Sequence, residues 1–147
     1  MAASGIPTTA RTRALAFCER FGLRAPILLA PMAGSTPPAL GLAVANAGGM
    51  AGFGALNSKP ADIAAWAADF RARSNGAFQI NLWIPDPPPI RDAAREQATA
   101  DFLARFGPAP AIPGDGPLVE DFDRQCEAVL ASAPAVVSSI MGLYPER

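Results

Sequence analysis

The chain has 147 residues, of which 50% are hydrophobic and 17% are charged. This composition is typical of one folded domain and argues against disorder. The 12 basic and 13 acidic residues give a net charge of -1, which does not favour nucleic acid or an anionic lipid surface as a partner. The longest apolar stretch, residues 25–33, is far shorter than the roughly 20 residues of a membrane-spanning helix. Because the start of the chain is also polar and unlike a signal peptide, we expect a cytoplasmic protein.

The residue types limit the possible chemistry. The sequence contains no histidine, and histidine is the commonest general base and a frequent metal ligand. The two cysteines, Cys18 and Cys126, lie far apart and lack a metal-binding spacing, so we expect reduced thiols and no metal site. Ser138 and Ser139 have no histidine to activate them as nucleophiles. The sequence therefore assigns no catalytic residue.

Hydrophobic periodicity and turn residues predict alternating helices and strands. A helix at residues 11–21 comes first and ends at Gly22. The predicted strands are short apolar or β-branched runs at residues 26–31, 50–56, 78–84 and 135–140. The predicted helices that follow them cover residues 40–47, 61–73, 90–106 and 118–131. Thr36 is the candidate N-cap of the first of these four helices.

This order predicts an α/β fold with a parallel sheet covered by helices. Right-handed crossovers permit either an open doubly wound sheet or a barrel, and periodicity does not choose between them. A closed barrel of this kind has eight βα units and typically about 250 residues. Four strands would leave unpaired edges. The chain is therefore a fragment, pairs with a copy of itself, or has an open sheet.

The segment Ala-Pro-Met-Ala-Gly at residues 30–34 follows the first predicted strand, where parallel α/β proteins build their sites. Pro31 lacks a backbone donor and has a fixed φ, and Gly34 permits a close approach of the backbone to a ligand. A flat apolar ring could lie against this segment and hydrogen-bond its main chain. An ordinary strand-to-helix turn is the alternative interpretation.

Glycines are concentrated at residues 48–54. They follow a helix and enter a strand, which reverses the order of a dinucleotide-binding motif, so we reject nucleotide binding by this segment. We expect close packing between the helix end and the strand. Gly52 and Gly54 would also leave room for a bulky group at the mouth of a barrel.

Gln79 and Asn81 are polar residues in an otherwise apolar strand. They share one face because side chains alternate along a strand, and a buried amide requires a hydrogen-bond partner. The pair could read the edge of a heterocycle, or it could be satisfied by the backbone alone.

Together these segments resemble the opening of nitronate monooxygenases, the family also called 2-nitropropane dioxygenases. The resemblance rests on three motifs in the family's order and spacing: Pro-Ile-Leu-Leu-Ala-Pro-Met-Ala-Gly at 26–34, Ala-Asn-Ala-Gly-Gly-Met-Ala-Gly-Phe-Gly-Ala at 45–55, and Phe-Gln-Ile-Asn-Leu-Trp-Ile-Pro at 78–85. Residues 17–23 match the usual lead-in, and residues 136–142 resemble the family's fourth strand.

The resemblance implies a parallel (β/α)8 TIM barrel that binds FMN without a covalent bond and oxidises alkyl nitronates with O2. It implies that the backbone of Pro31, Met32 and Ala33 lies against the flavin ring, and that Asn81 hydrogen-bonds FMN through its side chain. Residues 1–147 would then form the N-terminal part of a single barrel domain, with only about the first four βα units present.

The chain departs from the family pattern in two ways. It has neither the glycine-rich phosphate loops nor the histidine of a Gly-Gly-His type motif, both of which lie in the second half of the family's barrel. Where members often carry a histidine at the end of the fourth strand, it has Ser139, Ile140 and Met141. Activity would therefore need a missing C-terminal half. Two alternatives stay open: a barrel like the FMN-dependent enoyl-acyl carrier protein reductases, and a non-catalytic remnant or module that self-associates as a homo-oligomer.

Overall fold

The computed structural model describes residues 9–87, 90–108 and 121–144. The helices and strands in these ranges are α1 (Ala10–Phe21), α2 (Pro38–Asn46), β1 (Ala51–Gly54), α3 (Pro60–Arg73), β2 (Phe78–Trp83), α4 (Ala93–Leu103), α5 (Phe122–Ala131) and β3 (Val136–Ile140). The chain forms two compact units, one of Met1–Ile84 with Val119–Arg147 and one of Pro85–Leu118. None of the described helices combines the length and the apolar character that crossing a bilayer would require.

The three strands form one parallel sheet in the order β1-β2-β3. Gly54 pairs in register with Asn81, and Asn81 pairs with Ser138. Helices lie between consecutive strands in the sequence, as parallel pairing requires. The predicted α/β fold with a parallel sheet is therefore confirmed.

The segment predicted as the first strand, residues 26–31, is not a strand. It makes one parallel bridge, between Leu28 and Met50. The Met50 N–H donates to the Ile27 carbonyl at 2.9 Å, and the Leu29 N–H donates to the Met50 carbonyl at 2.9 Å. The prolines at both ends of the segment have no N–H to give to a longer ladder. The prediction of a strand here was wrong because the chain leaves the sheet edge after this bridge. Residues 29–33, the crossing segment, then pass over one face of β1.

Two glycines of β1 make this passage possible. Gly52 and Gly54 point to the same face of the strand. A Cβ atom at either position would collide with the crossing backbone, that of Leu29 at Gly52 and that of Ala33 at Gly54. At Gly54 this Cβ would lie 2.5 Å from the Ala33 nitrogen. The room that we expected these glycines to leave for a bulky group is therefore filled by the chain itself.

The opposite face of the sheet carries the main hydrophobic core. Phe78, Ile80 and Leu82 of β2 alternate toward this face and are at most 4% exposed. Helices α2, α3 and α5 cover the sheet here, and their buried residues in the core are Leu42, Ala45, Ile63, Ala67, Phe70 and Val129. Burial of each large aliphatic or aromatic side chain stabilises the fold by about 1.5–3 kcal/mol.

A smaller cluster lies at the amino ends of the strands. Cys18 and Leu23, from α1 and the turn after it, pack with Met50, which directly precedes β1. Ala77 and Val136, at the starts of β2 and β3, lie against them. Helix α1 therefore packs at the amino edge of the sheet and leaves the carboxyl edge to other segments.

The unit Pro85–Leu118 contains α4. Asp92 caps this helix by accepting a hydrogen bond from the Arg95 N–H at 3.0 Å. Arg91 donates to both carboxylate oxygens of Glu96, at 2.6 and 2.5 Å. These hydrogen bonds hold the pKa of Glu96 below its usual range. Because both side chains are partly exposed, such a pair contributes little to stability.

Replacing Gly54 with alanine should lower the free energy of unfolding by about 1–3 kcal/mol, because the crossing backbone must shift to admit the Cβ atom. Urea unfolding followed by circular dichroism measures the change. Gly107→Ala is the matched control: nothing lies within 4 Å of a Cβ added at Gly107, and we expect a change within about 0.5 kcal/mol. Equal stabilities of the two variants would contradict the close contact between β1 and the crossing segment.

Candidate functional site

The carboxyl ends of the three strands meet at one edge of the sheet, because all pairings are parallel. Parallel α/β folds place their ligands at this edge. Residues 55–58 follow β1 there, Ile84 follows β2 and Met141 follows β3. The turn before α2 reaches the same edge, because Ala33 lies over Gly54.

An open cleft of about 420 Å³ lies at this edge. Two turns and the end of β1 line it, through Ala33, Gly34, Ser35, Thr36, Pro37, Phe53, Gly54, Asn57 and Ser58. The ring of Phe53 stacks on Trp66 of α3 with centroids 4.7 Å apart, which fixes one wall. The described lining has hydroxyl and amide groups and no charged side chain. A ligand here would therefore be held by hydrogen bonds and apolar contact and not by ion pairs.

The three backbone positions predicted to lie against a flat ring are at or beside this cleft. The Met32 carbonyl accepts a hydrogen bond from the Ser35 N–H at 3.1 Å, in a turn where Gly34 has a φ of 72°. Ala33 lines the cleft, whereas Pro31 and Met32 are not part of its described lining. The Met32 side chain is 43% exposed, so an apolar surface lies next to the cleft.

Thr36 does not cap α2, contrary to the prediction. Pro37 occupies the N-cap position, and no side chain caps the helix. The Thr36 Oγ1 atom is buried and has no hydrogen-bond partner among the described residues. Pro38 begins the helix without an N–H group, so the end of α2 needs one hydrogen bond fewer.

Gln79 and Asn81 lie on the same face of β2, and each has a partner within the protein. Gln79 donates through Nε2 to the Leu29 carbonyl at 3.0 Å and so ties β2 to the crossing segment. Asn81 donates through Nδ2 to the Ser138 hydroxyl at 3.0 Å, across the β2-β3 pair. The amide oxygen of Asn81 makes no hydrogen bond to the residues that the structure describes. Asn81 lies outside the cleft lining but is the register partner of Gly54, which is in it.

The end of β3 is held by a partly buried tyrosine. The Tyr144 hydroxyl donates to the Ser138 carbonyl at 2.9 Å, and its ring lies over that of Phe122 of α5. Burial, with a smaller contribution from the Cys126 thiol, raises the pKa of Tyr144 to about 12. The hydroxyl therefore stays neutral and keeps its proton for the hydrogen bond to Ser138.

Asn57 and Ser58 of the cleft, and Gln125 behind it, were not predicted from the sequence as residues of a site. Asn57 and Ser58 line the cleft, and Gln125 of α5 donates through Nε2 to carbonyl groups of residues 55–58. A signal for Gln125 exists in the sequence, since it is a polar residue on the apolar stripe of its helix, beside Val129. The residue types of Asn57 and Ser58 indicate the start of a helix and do not indicate a binding site.

Tyr144 is the single tyrosine of the chain, so a pH titration followed by phenolate absorbance reports on it alone. We expect a midpoint of about 12 in the folded protein and about 10 in denaturant. Because the folded pKa is raised, the stability that this group contributes is complete below the unfolded value and is lost as the pH rises through the folded one. Tyr144→Phe should remove both the signal and this pH dependence. A folded midpoint near the denatured one would contradict the partial burial of Tyr144.

No protein-family model matches the sequence. The chain is 35% identical over 100 residues to the nitronate monooxygenase of Pseudomonas aeruginosa, a match that covers 65% of this chain and 28% of that protein. It is 37% identical over 108 residues to the nitronate monooxygenase of Paraburkholderia phytofirmans, covering 69% of this chain and 29% of that protein. The chain therefore spans less than a third of the length of the curated relatives that it matches.

The fold agrees with these sequence matches. The crystal structure of a nitroalkane oxidase from Streptomyces ansochromogenes superposes on the chain with a TM-score of 0.70 at 26% identity, over 86% of this chain and 36% of that one. Two relatives called nitronate monooxygenase are thus similar to the chain in sequence, and a solved nitroalkane oxidase is similar to it in fold. The chain belongs to the nitronate monooxygenase family, a family of oxidoreductases.

Proposed function

We propose that this chain supplies the flavin-ring contacts of an FMN-dependent nitronate monooxygenase, which oxidises alkyl nitronates with O2. The observation that carries the proposal is the placement of two predicted contacts side by side. Ala33 lies over Gly54, and Gly54 pairs with Asn81, so the backbone contact and the amide contact are neighbours at the carboxyl edge of the sheet. The names of the curated relatives support the substrate class.

The described residues fit the ring end of FMN. The crossing segment presents its main chain at the carboxyl edge, with the apolar Met32 partly exposed beside it. The amide oxygen of Asn81 is a hydrogen-bond acceptor, which matches an N–H group on the edge of a flavin ring. The described cleft lining carries no positive charge, so these residues fit the ring and not the phosphate.

Bound FMN would supply the electron-transfer chemistry. The residues of this chain would bind and orient it, with the backbone of Pro31, Met32 and Ala33 against one face of the ring. Asn81 would accept a hydrogen bond from the ring edge. Ser138 would hold the Asn81 amide in that orientation, because its hydroxyl accepts from Nδ2. Since the sequence has no histidine, we assign no proton transfer to these groups.

The rest of the site would come from a part of the family fold that this chain does not span, since it covers 28% and 29% of its two relatives. Among the described strands, β3 pairs only with β2, and its Val137 and Ile140 side chains are 39% and 50% exposed. An unpaired edge with apolar side chains readily accepts another strand. We propose that residues 1–147 are the N-terminal part of a (β/α)8 barrel that continues from this edge.

The same edge favours a second candidate, a non-catalytic module that self-associates. Leu143, just after β3, is 88% exposed, and pairing between the β3 edges of two copies would cover it together with Ile140. Light scattering distinguishes the candidates. A stable oligomer that takes up no flavin would favour the second one.

A titration of the chain with FMN, followed by visible absorbance, tests the proposed function. We expect a saturable shift of the flavin bands, since the ring moves from water to the sheet edge. Oxygen consumption after addition of an alkyl nitronate then tests for turnover. The proposal fails for this chain if an excess of FMN leaves the flavin spectrum unchanged.

Asn81→Ala should weaken FMN binding by about 1–3 kcal/mol, because a ligand hydrogen bond is lost. Asn75→Ala is the matched control, since Asn75 is an exposed amide that precedes β2, and it should leave the affinity unchanged. Urea unfolding of both variants separates the loss of the ligand contact from the loss of the hydrogen bond to Ser138. Equal affinities of the two variants would remove Asn81 from the site.

A further inference from the structure

Gln125 is the least exposed of the described buried polar side chains, at 2%. Its Nε2 atom lies 3.1 Å from the Ala55 carbonyl oxygen, 3.2 Å from that of Leu56 and 2.8 Å from that of Ser58. The Gln125 amide on α5 thus contacts three of the four carbonyl groups of residues 55–58, in the loop after β1.

The three carbonyl groups converge because the chain turns tightly after β1. The Ser58 N–H donates to the Ala55 carbonyl at 3.0 Å, which closes the turn. Carbonyl oxygens that point at one place repel each other unless a donor lies between them. The amide of Gln125 has two N–H groups, so it satisfies three acceptors by sharing a hydrogen. The shape of this loop therefore depends on a donor from another element.

The loop, and not Gln125, reaches the cleft. Asn57 and Ser58 are in the described cleft lining, and Gln125 is absent from it. Helix α5 packs on α3 and β2, and Val129, one turn after Gln125, is 1% exposed in the main core. Gln125 thus lies on a helix anchored in the main core while its amide contacts the loop that forms a cleft wall.

We propose that Gln125 is a positioning residue for the cleft. It fixes residues 55–58 so that Asn57 and Ser58 line the cleft beside Ala33, where the proposed function places the flavin ring. This inference rests on the proposed function only for the identity of the molecule next to Ala33. The position of the cleft wall itself can be measured without any ligand.

A purely structural role makes a different prediction from a positioning role. If Gln125 only stabilised the fold, its loss would lower the free energy of unfolding and leave the loop unchanged in the molecules that remain folded. As a positioning residue, its loss loosens residues 55–58 in molecules whose core stays intact. Amide hydrogen exchange and chemical shifts measured residue by residue by NMR distinguish these two results.

Gln125→Glu in the ligand-free chain is the most informative variant, because it changes the hydrogen-bonding group and keeps the size of the side chain. A protonated carboxyl still donates one hydrogen bond to the carbonyl groups, whereas an ionised one donates none and repels them. Burial among these oxygens raises the pKa of the introduced carboxyl above its unfolded value of about 4.3. Loop order is then present at acidic pH and is lost as the pH rises through the raised pKa.

At neutral pH we expect the protection factor of the Ser58 N–H to fall at least about tenfold in Gln125→Glu, because the loop loses a hydrogen bond from residue 125. The Ile80 N–H in β2 should change much less, and the shifts of Asn57 and Ser58 should move toward wild type as the pH falls. Parallel losses of protection at Ser58 and Ile80, with unchanged Asn57 and Ser58 shifts, would overturn the proposal.

Gln97→Glu is the charge-matched control, since Gln97 is an exposed glutamine on α4, and it should leave the loop unchanged. The wild-type chain gives a second test that needs no variant, because its own Ser58 N–H must be protected. An unprotected Ser58 in wild type would overturn the proposal even if Gln125→Glu fails to fold. Because no flavin is present, neither result depends on whether FMN binds.

Discussion

The passage of residues 29–33 over β1 is the constraint on which the rest of the structure depends. Because Gly52 and Gly54 have no side chains, the crossing backbone lies directly on the sheet, at a distance that any Cβ atom would prevent. Gln79 ties this backbone down through the Leu29 carbonyl. The crossing brings Ala33 to the carboxyl edge, next to the strand pair that contains Asn81. A side chain at Gly54 would push Ala33 away from the sheet, and so away from the strand pair that contains Asn81.

The two faces of the sheet consequently differ in chemistry. One face is sealed by helices and buries Phe78, Ile80 and Leu82, which supplies most of the hydrophobic stabilisation. The other face carries Gln79, Asn81 and Ser138, with main chain packed on part of it. The apolar core and the polar side chains of β2 and β3 thus lie on opposite faces of the same sheet.

Three neutral amide side chains hold the segments around the candidate site in place. Gln79, Asn81 and Gln125 each donate to a group more than 40 residues away in the sequence, namely the Leu29 carbonyl, the Ser138 hydroxyl and the carbonyls of residues 55–58. A buried amide stabilises only the arrangement in which its partners are in place, since an unpaired one is costly. These three contacts select one relative placement of the crossing segment, the strands and α5, without a buried charge.

The sequence by itself determined the elements whose signals are local. Apolar stripes and glycine or proline boundaries predicted α1, α3, α5 and the three paired strands to within a few residues, and the motifs at residues 26–34, 45–55 and 78–85 indicated the family that the comparisons then showed. Tertiary structure decided what depends on contacts between distant segments. Residues 26–31 have the composition of a strand, yet they pair only once, because β1 offers a glycine face on which the backbone packs more closely than a ladder allows. The roles of Gln125 and Asn57 also depend on the fold. Gln125 and the carbonyl groups of residues 55–58 lie far apart in the sequence, and only the fold brings the donor to its acceptors.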